Sequence, residues 1–137
     1  MISAERRIPH EPERVFAFLA DLRNHWRLEE RFLELEHVGT DGGVIRLTGP
    51  LGLSRQARTR VVEAERPTRV AGRADLRGGT VGHVVWEIRP DGSGSSVRLF
   101  AEVPEAWWPD RVFLALGGRA WLRTLFERAL ENLEKTL

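Results

Sequence analysis

The sequence contains no cysteine, a single lysine (Lys135) and no long apolar run. Without cysteine there is no structural disulfide, no thiolate nucleophile and no sulfur-ligated metal, which removes several enzyme classes at once. No apolar stretch approaches the roughly 20 residues that a bilayer-spanning helix needs. The N-terminus shows neither the apolar core nor the small-residue cleavage site of a signal peptide. Membrane insertion is therefore not expected, and the cytoplasm is the expected location. The scarcity of lysine makes the basic side chains almost all arginine, a bias that points to a GC-rich bacterial genome. Arginine's planar fork also suits carboxylates and phosphates.

What is present is an ordinary globular composition: 42% hydrophobic and 30% charged residues over 137 positions, with a net charge of +1. A chain of this length supports one domain, since two cores would each need about 100 residues. The arginines between Arg55 and Arg77 are interleaved with Glu63, Glu65 and Asp75 and with no stacking aromatics. They read as a solvated sheet face, with a protein- or ribosome-interaction surface as an alternative reading, and no nucleic-acid partner is expected.

Residues 1–7 read as a first strand that Pro9 and Pro12 stop, because proline cannot donate to a ladder. Pro12 suits the first turn of a helix, and Val15, Phe16, Leu19 and Leu22 recur at helical spacing. This gives one short helix, or two broken near Ala20-Asp21. The pattern then alternates. Leu33, Leu35 and Val38 lead to an Asp41-Gly42 hairpin turn. Strands follow at 44–48, 54–64, 70–76, 80–89 and 97–103, separated by Gly- and Pro-containing turns. From Arg119 the residues Leu122, Leu125, Phe126, Ala129 and Leu133 form one face of a long amphipathic helix. Val112, Phe113, Leu114 and Leu116 do not continue that face in register, which places a kink at Gly117-Gly118.

The expected architecture is therefore α+β: a seven-stranded antiparallel curved sheet around a long C-terminal helix, with one or two short helices between strands 1 and 2. Four segments carry a resemblance to a known superfamily: IPHEPERVFAFLADLRNHW, VVEAERPTRVAG, VVWEIRPDGSGSSVRL and RTLFERALENLEKTL. Together they resemble the helix-grip superfamily (SRPBCC) of START-like lipid-transfer domains, Bet v 1-like proteins and bacterial polyketide cyclase/dehydrase-like proteins. The resemblance covers essentially the whole chain. It implies a hydrophobic small-molecule partner, lipid-, polyketide- or isoprenoid-like, held between sheet and C-terminal helix, with a polyketide cyclase/dehydrase-type enzyme as the alternative.

Alternation names the residues that would line such a cavity. Val84 and Trp86, Leu99 and Ala101, and Ile45 and Leu47 should point inward, with Trp26, Leu35, Leu122 and Phe126 completing the ligand-binding candidates. The strand 54–64 permits two registers. Either Ala57, Thr59 and Val61 face inward, or Arg58, Arg60, Val62 and Ala64 do. In the second case the arginines would favour an anionic ligand or a developing enolate.

His25 is the best single candidate for acid-base work, yet its place in a helix C-terminal turn, where a cation is favoured by the dipole, makes a surface histidine the preferred reading. His25, Arg58 and Arg60 are the only catalytic candidates. His10, His25, His37 and His83 lack the close spacing of a metal site, no Gly-x-Ser-x-Gly elbow is present, and no metal or cofactor is expected. Trp107-Trp108-Pro109 can form a flap over the cavity, a loop anchor or a dimer contact. The chain is expected as a monomer or homodimer.

Overall fold

The computed structural model describes residues 1–28, 33–38, 42–49 and 54–137; the side chains of Trp26 and of residues 33–38 fall outside the description. The expected Asp41-Gly42 turn and the turn expected between strands 44–48 and 54–64 extend into residues outside it. The element order is β1 (Ile2–Ile8), α1 (Pro12–Leu19), α2 (Leu22–Arg27), β2 (Leu33–Val38), β3 (Gly42–Thr48), β4 (Ser54–Glu65), β5 (Arg69–Leu76), β6 (Thr80–Asp91), β7 (Gly94–Glu105), α3 (Trp108–Phe113), a wide helical turn Leu114–Gly118 and α4 (Arg119–Thr136). All strands pair antiparallel in one sheet, in the order β1-β7-β6-β5-β4-β3-β2. An α+β fold with a curved antiparallel sheet holding a long C-terminal helix is what the alternation and the helical periodicity imply. Register shifts at Leu35/His37, Val61/Glu63 and Val81/His83 help to bend the sheet.

One core joins the sheet to the C-terminal half of α4. Ile2 and Ile8 of β1, Val15, Phe16 and Leu19 of α1, Trp86 and Ile88 of β6, Val97, Leu99 and Ala101 of β7, and Phe126, Ala129, Leu130 and Leu133 of α4 form a single buried cluster. Leu130 widens the expected apolar stripe of α4, because a helix gripped by a concave sheet is covered over a broader arc than one resting on a flat surface. Val85 and Ala71 are buried although they lie on the outer face. They pair in register, Val85 also faces Phe100, and the Arg98 guanidinium lies 4.8 Å from the Phe100 ring centre. Long side chains laid along that face exclude water from its apolar residues.

The junction after β1 is built around two small residues. Ser95, fully buried, donates its hydroxyl to the His10 carbonyl at 2.6 Å. A Cβ on Gly94 would stand 2.5 Å from the Ile8 carbonyl oxygen. The chain leaving β1 thus lies against the tip of the β6-β7 hairpin. Pro9 cannot extend the ladder there, and Pro12 opens α1 in its first turn.

Candidate functional site

The structure selects between the two registers of the fourth strand. Ala57 and Thr59 are buried and Val61 packs on the core, whereas Arg58, Arg60 and Val62 are exposed. Arg58 and Arg60 therefore point away from the concave face, a correction to the reading that would have placed them in a cavity. The cause is the desolvation cost of two guanidinium groups on an apolar face that offers them no partner. Other outer-face arginines lie near carboxylates: Arg69 is 3.6 Å from Glu63 and 3.7 Å from Glu87, and Arg73 is 2.9 Å from Asp75.

Asn24 and His25 have a local task. The amide of Asn24 donates to the Phe18 carbonyl at 2.9 Å, and His25 Nε2 donates to the Leu19 carbonyl at 2.6 Å. Both satisfy carbonyls of the last turn of α1, which have no partner within that short helix. Asp21 caps α2 by accepting from the Arg23 backbone N–H at 3.0 Å. These contacts produce the break expected near Ala20-Asp21 and fold α2 back, which sets the His25 ring edge-on to Trp86 with centres 5.6 Å apart. His25 is thus part-buried against the inner face, not the surface cation the helix turn suggested. Burial pushes its pKa below the ordinary 6.5, against smaller opposing effects of the Leu19 hydrogen bond and the Asp21 charge. Because Nε2 must carry hydrogen to reach a carbonyl, Nδ1 is the nitrogen that titrates.

The sign of the pH effect follows from this shift. Below the ordinary value of 6.5 the unfolded chain takes up a proton that the folded chain resists. The stability contributed by the neutral ring is present above that value and is lost as pH falls through the depressed folded value. A His25→Gln variant, which keeps a donor for Leu19, should show a flatter decline in melting temperature between about pH 7 and about pH 5 than the parent chain. Parallel curves for the two proteins would remove His25 as the cause.

The remaining ligand candidates divide by burial. Ile45, Trp86, Leu99, Ala101 and Phe126 are buried, while Leu47, Val84 and Leu122 are half-buried. Leu35 is known only by its register opposite Ile45, and the Trp26 side chain lies outside the described residues. At the C-terminal end of α4 the space between sheet and helix is filled by the core. Toward the other end the inward positions include small residues. Gly72, Val84, Ala101 and Ile2 stand in register across four strands. Next to them a Cβ on Gly82 would meet only the Ala74 Cβ, 3.9 Å away.

An open cleft of about 490 Å³ lies where this row reaches β1. Its floor is Met1, Ile2, Ala101, Val103 and Pro104. Its other wall is Leu114 and Ala115 at the bend before α4, with Arg111, Arg119 and Glu102 as the charged groups. Ala101 is the one ligand candidate that reaches it. The others belong to β2, β3, β6 and β7 and to α2 and α4 and, among the described side chains, do not line it, whereas the cleft is made by the chain's first two residues, the end of β7 and the bend that starts the last helix. Alternation within single strands carries no signal for that meeting.

The bend itself is held by a polar latch. Asp110 accepts from Arg55 and from the Thr80 hydroxyl, and Thr80 in turn accepts the Trp107 backbone N–H at 2.9 Å. The Trp107 ring covers Gly78, where a Cβ would come within 2.7 Å, and the Arg55 guanidinium lies 5.5 Å from the ring centre. Of the readings for Trp107-Trp108-Pro109, the loop anchor describes Trp107, and Pro109 opens α3. Leu116 and Gly117 leave helical geometry, with Gly117 at φ +117°, as the expected kink requires.

Among the described residues no cluster of three His, Asp or Glu side chains is placed to hold a metal ion, and no helix is long and apolar enough to cross a membrane. No curated protein matches the chain. Among solved structures it is similar to a protein from Thermus thermophilus (21% identity, TM-score 0.72, 98% of this chain and 94% of that one). It is also similar to a Rhodobacter sphaeroides protein (26% identity, TM-score 0.62, 98% and 89%). A third likeness is DynU16, of the dynemicin biosynthetic locus (17% identity, TM-score 0.63, 98% of this chain and 45% of that one). The family model described as polyketide cyclase / dehydrase and lipid transport matches residues 1–137. With its whole length matched by that model and its sheet gripping a C-terminal helix, the chain belongs to the polyketide cyclase/dehydrase and lipid transport family of the SRPBCC superfamily.

Proposed function

We propose that the chain is a cytoplasmic binding protein for a hydrophobic small molecule of lipid, polyketide or isoprenoid type, held in the cleft between the β1-β7 end of the sheet and the α3-α4 bend. The observation that carries this reading is the cleft of about 490 Å³ with an apolar floor and a few charged groups at its wall, the usual composition of a small-molecule site. Membership of a family that includes lipid transport supports it. So does DynU16, a structural neighbour encoded in a biosynthetic locus.

Titration with 1-anilinonaphthalene-8-sulfonate, an apolar probe with one anionic group, tests the site. Saturable binding is expected, and Ala115→Trp should weaken it by roughly tenfold or more by filling the cleft wall. A probe at about 100 times its Kd should raise the unfolding free energy of the parent chain by about 2.7 kcal/mol. Unsaturable binding, or equal affinity in the variant, would sink the reading.

A cyclase- or dehydrase-type enzyme is the second reading. It is favoured by Glu102, Arg111 and Arg119 at the cleft, since such chemistry needs an ionisable group facing its substrate.

A further inference from the structure

The wall of the cleft opposite the β1-β7 floor is carried by a short element with little of its own to hold it. α3 is six residues long and buries none of them. A helix of that length is not stable in water by itself, where about 12–15 residues are needed. Its position must come from its attachments. Downstream it runs into the bend, where a Cβ on Gly118 would stand 2.6 Å from the Phe113 ring, the Trp121 ring meets Phe113 edge-on with centres 6.0 Å apart, and Leu114 packs against the core. Upstream the attachment is polar. Among the described residues, the hydrogen bonds and ion pair that join α3 and its cap to the sheet are those of the latch: Asp110 with Arg55 and Thr80, and the Trp107 N–H with Thr80.

Latch and cleft share this turn of chain but use different residues. Ala106, Arg111, Leu114 and Ala115 line the cleft, whereas Trp107 and Asp110, between them in sequence, do not. Their partners come from the start of β4 and the start of β6, strands that contribute nothing to the lining. Water competes little for these contacts: Thr80 is buried, and the Asp110 and Arg55 side chains keep 17% and 25% of their surface exposed. Arg55 also donates to the Arg77 carbonyl and lies over the Trp107 ring, which fixes its fork. The Thr80 hydroxyl has two tasks, donating to Asp110 and accepting from Trp107. Its loss would leave a carboxylate oxygen and a backbone N–H without that partner.

We propose that Thr80, Asp110 and Arg55 are positioning residues for the ligand site: by fixing the first turn of α3 on the sheet they hold the Ala106–Ala115 wall where it completes the cleft. This inference rests on the cleft being the ligand site. A wall fixed before the ligand arrives spares binding the cost of ordering it. With the latch open, α3 keeps only its downstream attachment. Apparent affinity then falls in proportion to the fraction of molecules whose wall is in place.

Titration with N-phenyl-1-naphthylamine, paired with hydrogen exchange read by mass spectrometry, tests this on the parent chain, Thr80→Val, Thr80→Ser and Asp110→Asn. The probe is uncharged, so loss of the Asp110 charge does not itself alter its affinity. Thr80→Val keeps the shape of the buried side chain without its hydroxyl, and Asp110→Asn changes a less enclosed site. Both should raise the Kd of the probe roughly tenfold. Both should also speed exchange of the amides of residues 107–113 roughly tenfold, with residues 126–136 of α4 exchanging as in the parent. Thr80→Ser restores the hydroxyl and should bind as the parent does.

Saturable binding with one Kd in the parent, Thr80→Val and Asp110→Asn overturns the inference and leaves the site itself standing. Exchange that rises equally in α4 also overturns it, since the latch would then support the whole fold and not the wall. Absence of saturable binding by the parent chain sinks the site and this inference together.

Discussion

Replacement of Leu133 by alanine is expected to destabilise the fold by about 3–4 kcal/mol, toward the upper part of the range for a fully enclosed leucine. Leu133 has no exposed surface and shares one cluster with β1, α1, β6 and β7. Truncation leaves a void bounded by several elements, none of which can collapse into it without disturbing another. For a chain of this length the melting temperature should fall by roughly 10–15 °C. Leu122→Ala supplies the contrast. Leu122 is half-buried nearer the small-residue end of the sheet, and it should cost less than half as much. Thermal or urea unfolding of both variants checks the pair, and equal losses would contradict the placement of the core at the C-terminal end of α4.

The second large effect is expected at Gly94. An alanine Cβ there would lie 2.5 Å from the Ile8 carbonyl oxygen and 3.2 Å from the Pro9 Cα, both backbone atoms. No rotamer change relieves such a contact, so β1 or the hairpin tip must move. That would strain the hydrogen bond from Ser95 to the His10 carbonyl. A loss of roughly 3 kcal/mol is expected, at the top of the usual range for overpacking. Gly79→Ala is the control for added bulk. Nothing lies within 4 Å of a Cβ at Gly79, although its φ of +95° carries its own strain, and unfolding of the two variants should rank Gly94→Ala as the more damaging. The reverse ranking would mean that the junction yields easily.

Much of the fold was legible because its punctuation is local. Pro12, Asp21, Gly117 and the Gly-containing turns act on their own neighbours, and alternation in β6 and β7 placed Trp86, Leu99 and Ala101 inward. The 54–64 strand was not decidable from its own pattern, since a one-residue slip exchanges its faces; the burial of Ala57 and Thr59 in the folded sheet settles it. His25 was misread because its surroundings come from two sources, the Leu19 carbonyl six residues back and the Trp86 ring on another strand. The cleft was the least legible element. It joins Met1 and Ile2 to residues 101–119, and a meeting of distant segments leaves no periodic trace in either.

The sheet order also bears on how the chain comes together. β1 lies at one edge and its sheet neighbour is β7, the last strand to be made. During synthesis the first strand must therefore wait unpaired while the β3-β4-β5-β6 meander can zip by sequential hairpins, and only the final third of the chain gives it a partner. Non-local closure of this kind carries the loop-entropy cost that slows folding. The waiting strand is well made for delay: Glu5, Arg6 and Arg7 stand exposed along it, and consecutive charges on an open edge discourage pairing with other chains.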